Sequence, residues 1–204
     1  MEAQLIITAF ATLFVIIDPI GLTPLFVALT QGMSDQARRA IALRACVISV
    51  VILLLFAVFG EAVLGFVGIS LPAFRIAGGI LLFLTALEML FEKRSKRRED
   101  QAEDDRPDPS VFPLAIPLIA GPGAIASMIL LTGDGDVIQL ATVSGVMLSV
   151  IMVVFVLFLL AGKIERLLGK TGINVVSRLL GMMLAALSVQ FVLDGLRDFG
   201  LAGG

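Results

Sequence analysis

The sequence predicts an all-α integral membrane protein of six transmembrane helices, built as two inverted three-helix repeats with helices 1 and 4 broken at midplane. Three observations carry this reading. The 204 residues are 58% hydrophobic and 16% charged, with a mean hydropathy of +1.05, whereas a soluble domain has roughly half its residues apolar and about a quarter charged. The apolar residues gather into six runs, each near or above the ~20 residues that cross ~30 Å of hydrocarbon. A long polar stretch then divides these runs three and three, and the halves resemble each other at one constant offset.

The runs cover 4–29, 40–67, 73–91, 111–131, 139–162 and 177–198. They are continuous rather than alternating, so they read as helices and not as strands of a membrane barrel. The first exceeds one straight crossing, which points to a tilt or a break. It does not read as a cleaved signal peptide, because Met1-Glu2-Ala3-Gln4 carries no Lys or Arg and the apolar run continues too far. The connections after runs 1, 3 and 5 share one side of the membrane and, with the first residues of the runs that follow them, hold 13 of the 15 Lys and Arg residues, leaving Arg75 and Arg197 on the other. The positive-inside rule therefore places both termini outside and the basic side in the cytoplasm.

The polar stretch 92–110, basic and then acidic and ending in two prolines, reads as a solvated cytoplasmic linker. It separates a first repeat at 1–91 from a second at 111–204. Pro19 and Pro122, Gly32 and Gly135, Arg75 and Arg178, and Gly78 and Gly181 are all related by an offset of 103, and Thr85 falls opposite Ser188. An odd number of spans per repeat forces the second to insert upside down, an architecture found in many secondary transporters.

Two motifs occupy repeat-related positions near the middle of runs 1 and 4. In Asp18-Pro19-Ile20-Gly21-Leu22-Thr23-Pro24, two prolines and a glycine cannot continue a straight helix. Asp is a favoured N-cap and Pro a favoured first helical residue, so a half-helix is expected to begin there. Gly121-Pro122-Gly123-Ala124 reads as cap and first turn of a second half-helix. Opposed half-helix N-termini offer unbonded N–H groups and partial positive charge, which suit a carboxylate. Asp18, the acid placed nearest the bilayer centre, either caps its own helix or balances a substrate ammonium or coupling ion. Gly21, Thr23, Gly121, Gly123 and Ala124 complete the expected substrate site, with Thr85, Ser127, Ser188 and Gln190 as polar lining. No His is present and Cys46 is alone, so no metal site and no cofactor are expected. Two further matches are set aside. The G-x-G-x-x-A pattern at Gly121–Ala126 lacks the soluble strand–turn–helix unit it requires, and Gly133-Asp134-Gly135-Asp136 falls in an outer loop. No enzymatic activity is expected.

Asp18-Pro19-Ile20-Gly21 with Pro24 in the first run, together with Pro117, Ala120 and Gly121-Pro122-Gly123-Ala124-Ile125 in the fourth, resembles the MarC family of bacterial and archaeal membrane proteins. The resemblance extends over the whole chain. It implies a multi-pass protein of the cytoplasmic (inner) membrane, and members resembling the SnatA transporter imply transport of small neutral amino acids such as glycine and alanine. The expected partners are a small zwitterionic substrate, the bilayer, and a coupling ion that is either a proton or sodium, with no nucleic acid. The alternatives are export of other small metabolites or drugs, or a non-transporting scaffold or ion channel.

Overall fold

The structure is a computed structural model that describes residues 2–30, 32–91, 108–133 and 136–200. Eight helical segments follow one another in these residues: α1 (Glu2–Ile17), α2 (Pro19–Leu29), α3 (Asp35–Val67), α4 (Leu71–Leu90), α5 (Ser110–Ile119), α6 (Pro122–Thr132), α7 (Val137–Leu159) and α8 (Ala161–Asp198). Five stretches are long and apolar enough to cross a membrane: Ala3–Leu29, α3, α4, α7 and Asn174–Asp198. The pair α5 and α6, bent by 52°, makes a sixth if taken as one span. The chain is thus an all-helical, multi-pass membrane protein, and its spans coincide with the apolar runs of the sequence.

Residue choice on α3 shows what its solvent is. Its outward side carries Leu43, Val47, Val51, Leu55, Phe59, Val63 and Phe66, while Ala42, Ala45, Ser49, Ala57 and Gly60 are buried. Large apolar groups face outward because lipid solvates them. The inward side also holds Ile41, Leu53 and Leu64, and the small residues between them permit the close backbone approach that, rather than expulsion from water, holds membrane helices together.

Two segments depart from the expected layout. The connection expected between runs 5 and 6 is helical: α8 starts at Ala161 and turns at Gly169, where φ is 61° and ψ 174°. Its residues are good helix formers, Leu, Lys, Arg and Glu, and the left-handed glycine separates them from the span. The whole of α5 is distorted rather than only its end. Phe112 (φ −127°, ψ 126°) and Ile116 (φ −123°, ψ 124°) are extended inside it. Each precedes a proline, whose ring pushes the preceding residue out of the helical region.

Most of the linker, 92–107, lies outside the described residues, as do Asp134 and Gly135. At the linker's end Asp108 bonds Arg44 of α3 at 2.7 Å and accepts the Ser110 N–H at 3.0 Å. Burial acts to raise the Asp108 pKa, but its bonds to Ser110 and the nearby Arg44 outweigh this and hold it below the usual carboxyl value. On the opposite face, Arg75 of α4 pairs with Asp198 at the end of α8.

The most extensive helix pair is α4 against α8, running antiparallel. Gly195 lies against Pro72 and Ile76, Gly79 against Ser188 and Val192, and Gly181 against Ala86, Met89 and Leu90. A Cβ added at Gly79 would stand 2.7 Å from Val192 Cγ2, 2.8 Å from the Ser188 carbonyl oxygen and 3.0 Å from the Val192 nitrogen. Backbone atoms cannot retreat as a side-chain tip can, so overpacking there is expected to cost about 1–3 kcal/mol. A Cβ at Gly145 of α7 would meet nothing within 4 Å. Thermal unfolding in detergent should show Gly79→Ala clearly destabilised and Gly145→Ala unchanged or improved by up to ~1 kcal/mol from helix propensity. Equal responses would contradict the interlocked packing.

Candidate functional site

Between α1 and α2 the chain is interrupted for a single residue. Asp18 has φ 56° and ψ 64°, the left-handed conformation, and is the one non-glycine residue with positive φ among the described residues. Helical bonding resumes around it: its N–H donates to the Phe14 carbonyl at 2.9 Å, and its own carbonyl accepts from Leu22 at 3.0 Å. Pro19 has no N–H to donate, which removes one rung of the ladder and opens α2 at the position proline favours. Asp tolerates this backbone better than most residues because a short polar side chain bonds locally. Asp18 Oδ1 accepts the Gly21 N–H at 3.0 Å, capping α2. Gly21 must be glycine here, since a Cβ would fall 2.1 Å from Asp18 Oδ2.

The Asp18 side chain is 1% exposed. Its second oxygen, Oδ2, accepts from the Ser177 hydroxyl of α8 at 3.4 Å. Ser177 was not singled out from the sequence and carries no local signal there. Only the packing of α8 on α2, across 159 residues of chain, brings it to Asp18.

The second motif lies beside the first. Gly121 is extended (φ −81°, ψ 170°), Pro122 opens α6, and no side chain caps this helix. The N–H groups of Gly123 and Ala124 have no partner four residues back within α6. Gly121 allows the chain to fold back closely, because a Cβ there would lie 2.3 Å from the Pro117 carbonyl oxygen. Gly123 faces Ile16 of α1 and Leu82 of α4, with a Cβ position 3.2 Å from each. The start of α6 therefore sits against the turn that precedes Asp18. Ala120, Gly121, Gly123 and Ala124 are buried. One turn along α6, Ser127 is fully buried and its hydroxyl has no hydrogen-bond partner among the described residues; Thr12 of α1 is in the same condition. Such groups are uncommon in native interiors and call for a specific explanation.

Not every residue expected in the site joins it. Thr23 is buried, but its hydroxyl donates to the Pro19 carbonyl at 3.1 Å. The Gly21 N–H is taken by Asp18 and is not open to a ligand. Gln190 is exposed and bonds Asp194 at 2.8 Å. Ser188 is buried and donates to the Ala185 carbonyl at 2.7 Å. Both lie well along α8 from Ser177, about 16 Å or more at 1.5 Å per residue. Thr85, half-buried on α4, donates to the Leu81 carbonyl at 3.0 Å. These three belong to the α4–α8 region rather than to Asp18.

Comparison with known proteins decides the family. The profile of the MarC family integral membrane proteins matches residues 3–199. The chain belongs to the MarC family. It is 39% identical over 194 residues to a UPF0056 membrane protein of Archaeoglobus fulgidus, covering 93% of this chain and 91% of the relative. A UPF0056 membrane protein of Aquifex aeolicus is 38% identical over 200 residues, covering 95% and 93%. The UPF0056 membrane protein YvbG of Bacillus subtilis is 37% identical over 203 residues, covering 97% and 96%. No solved structure matches the chain. MarC relatives thus span bacteria and archaea at nearly full length, and the family match over residues 3–199 includes both Asp18-Pro19 and Gly121-Pro122.

The capping geometry of this MarC protein yields a stability test. Asn can accept the Gly21 N–H and is also tolerated at positive φ, so Asp18→Asn is expected to unfold within about 1 kcal/mol of the parent. Asp18→Ala loses the cap and sits badly at φ 56°, and should lose roughly 1–3 kcal/mol. Chemical or thermal unfolding in one detergent ranks the three. An alanine variant as stable as the parent would mean that Asp18 does not hold the junction.

Proposed function

We propose that the protein is a secondary transporter of small neutral amino acids, of the size of glycine or alanine, working by alternating access. The observation that carries this is the buried pairing of unlike groups. Asp18, an acidic side chain only 1% exposed, caps α2 just after Ile16, and the uncapped start of α6 packs against that same Ile16 through the buried Gly123. The first suits an ammonium. The second, with two N–H groups unbonded within α6 and the positive end of the helix dipole, suits a carboxylate. A zwitterion whose ammonium and carboxylate flank a single carbon bearing little side chain suits such a pair of groups and the small residues Ala120, Gly121, Gly123 and Ala124. Thr12 and Ser127 add hydroxyls without a partner among the described residues, which a substrate or its water can satisfy.

The site follows from a paired architecture in this reading. The segments 1–91 and 111–204 are two inverted repeats, and α1–α2 and α5–α6 are their broken helices. The α4–α8 contact supports it. Gly78 and Gly181 are repeat mates; Gly181 packs on Ala86 and Met89, while Gly79, next to Gly78, packs on Ser188 and Val192. The two contacts exchange, to within one residue, under the offset of 103. Both termini then lie outside, as the distribution of basic residues expects.

Uptake or exchange of labelled glycine in proteoliposomes tests the function. The parent should show saturable flux. Asp18→Asn should fold and lose at least about tenfold in flux, since it keeps the cap but cannot serve as a formal charge. Gly123→Val, which puts bulk against Ile16 and Leu82, should weaken glycine binding. Saturable flux absent in the parent, or unchanged in both variants, would reject the proposal; conduction of ions without saturable exchange would indicate a channel.

A further inference from the structure

A cavity of about 320 Å³ opens on the face that carries the linker, remote from Asp18. Among the described residues its cations are Arg38 and Arg39 from the first turns of α3 and Lys163 from the start of α8, and its one carboxyl group is that of Asp35. None of the three forms an ion pair among the described residues. The floor is aromatic. The rings of Phe26 (α2) and Phe158 (α7) stack with centroids 4.3 Å apart and planes 7° apart, and both residues are buried. The Arg38 guanidinium lies 5.8 Å from the Phe26 centroid, a distance at which the ring's π face attracts it. The helix start at Asp35 adds its positive dipole end to this space, while that of α8 at Ala161 is offset by the C-terminal end of α7 at Leu159.

Basic residues beside a membrane span ordinarily set topology and stand in water. These differ in that two distant segments of chain bring them to one concavity, and a rigid floor orients one of them. Three cations against one carboxyl group favour an anion of more than one negative charge or several oxygens. Guanidinium groups match the oxygens of a phosphate in paired hydrogen bonds. The depth also fits: Arg38 and Arg39 lie just before the apolar run of α3, at the level of phospholipid headgroups, where basic pockets recognise lipid phosphates. The volume exceeds that of a phosphate alone and leaves room for the glycerol joined to it.

We infer that this cavity binds a phosphate group, borne either by an anionic phospholipid of the adjacent leaflet or by a soluble phosphate ester. The inference does not depend on what the protein transports. A ligand that binds only the folded state raises the unfolding temperature. Full-length protein in a neutral detergent is melted with dioleoyl phosphatidylglycerol in the micelles and, separately, with glycerol 3-phosphate. At least one probe should raise the unfolding temperature of the parent. Arg38→Gln/Arg39→Gln/Lys163→Gln should remove that shift without lowering the probe-free melting point, and Arg197→Gln, on the other face, should keep it. A shift with phosphatidylglycerol alone assigns the phosphate to a lipid; a shift with glycerol 3-phosphate assigns it to a soluble ester. Should the triple variant fail to fold, Lys163→Gln alone is expected to raise the half-saturating concentration at least threefold. No shift with either probe, a shift retained in full by the triple variant, or, where Lys163→Gln stands in for it, an unchanged half-saturating concentration overturns the inference.

Discussion

The bonding of one buried carboxyl group underlies the arrangement described above. An acidic side chain inside a membrane protein must find donors, because an unpaired polar group in an apolar interior costs several kcal/mol. Asp18 finds one in the Gly21 N–H and another in the Ser177 hydroxyl. The first bond starts α2 one residue after α1 ends, so the chain interrupts its helix without unwinding it. The second ties that interruption to α8. Together they keep the turn at Ile16–Asp18 at a fixed place, against which the first turn of α6 rests.

The surrounding packing serves the same end by membrane rules. The outward side of α3 carries large apolar residues while small ones are interspersed on its buried side, and glycines of α4 and α8 let their backbones approach closely. Within this packing the hydroxyls of Thr12 and Ser127 are buried without a hydrogen-bond partner among the described residues. A fully apolar interior would be simpler to assemble.

Much of this was legible in the sequence because the relevant signals are local. Apolar run length gave the spans, and Asp-Pro and Gly-Pro gave the positions where α2 and α6 begin, since capping and the missing proline N–H act within one turn. Pro113 carried a readable signal that the expected break at 120–122 left unused. With Pro117 it distorts the whole of α5. The segment after Leu160 is helical although polar, because helix propensity there does not depend on burial. Ser177 could not be read at all: its role comes from the packing of α8 on α2, which no periodicity encodes. For the same reason Ser188 and Gln190, chosen as polar residues in a late span, prove to lie about three or more turns along α8 from Ser177, the residue that meets Asp18.

The central claim is that the Asp18–Ser177 pair faces a ligand and is more than a buried cap. Ser177→Cys in a Cys46→Ala background places a thiol next to Asp18, where a small membrane-permeant thiol reagent can report on access. The account predicts that this thiol reacts, and that glycine slows the reaction in a saturable manner while a large amino acid such as tryptophan does not. Reaction at the same rate with and without saturating glycine would contradict it.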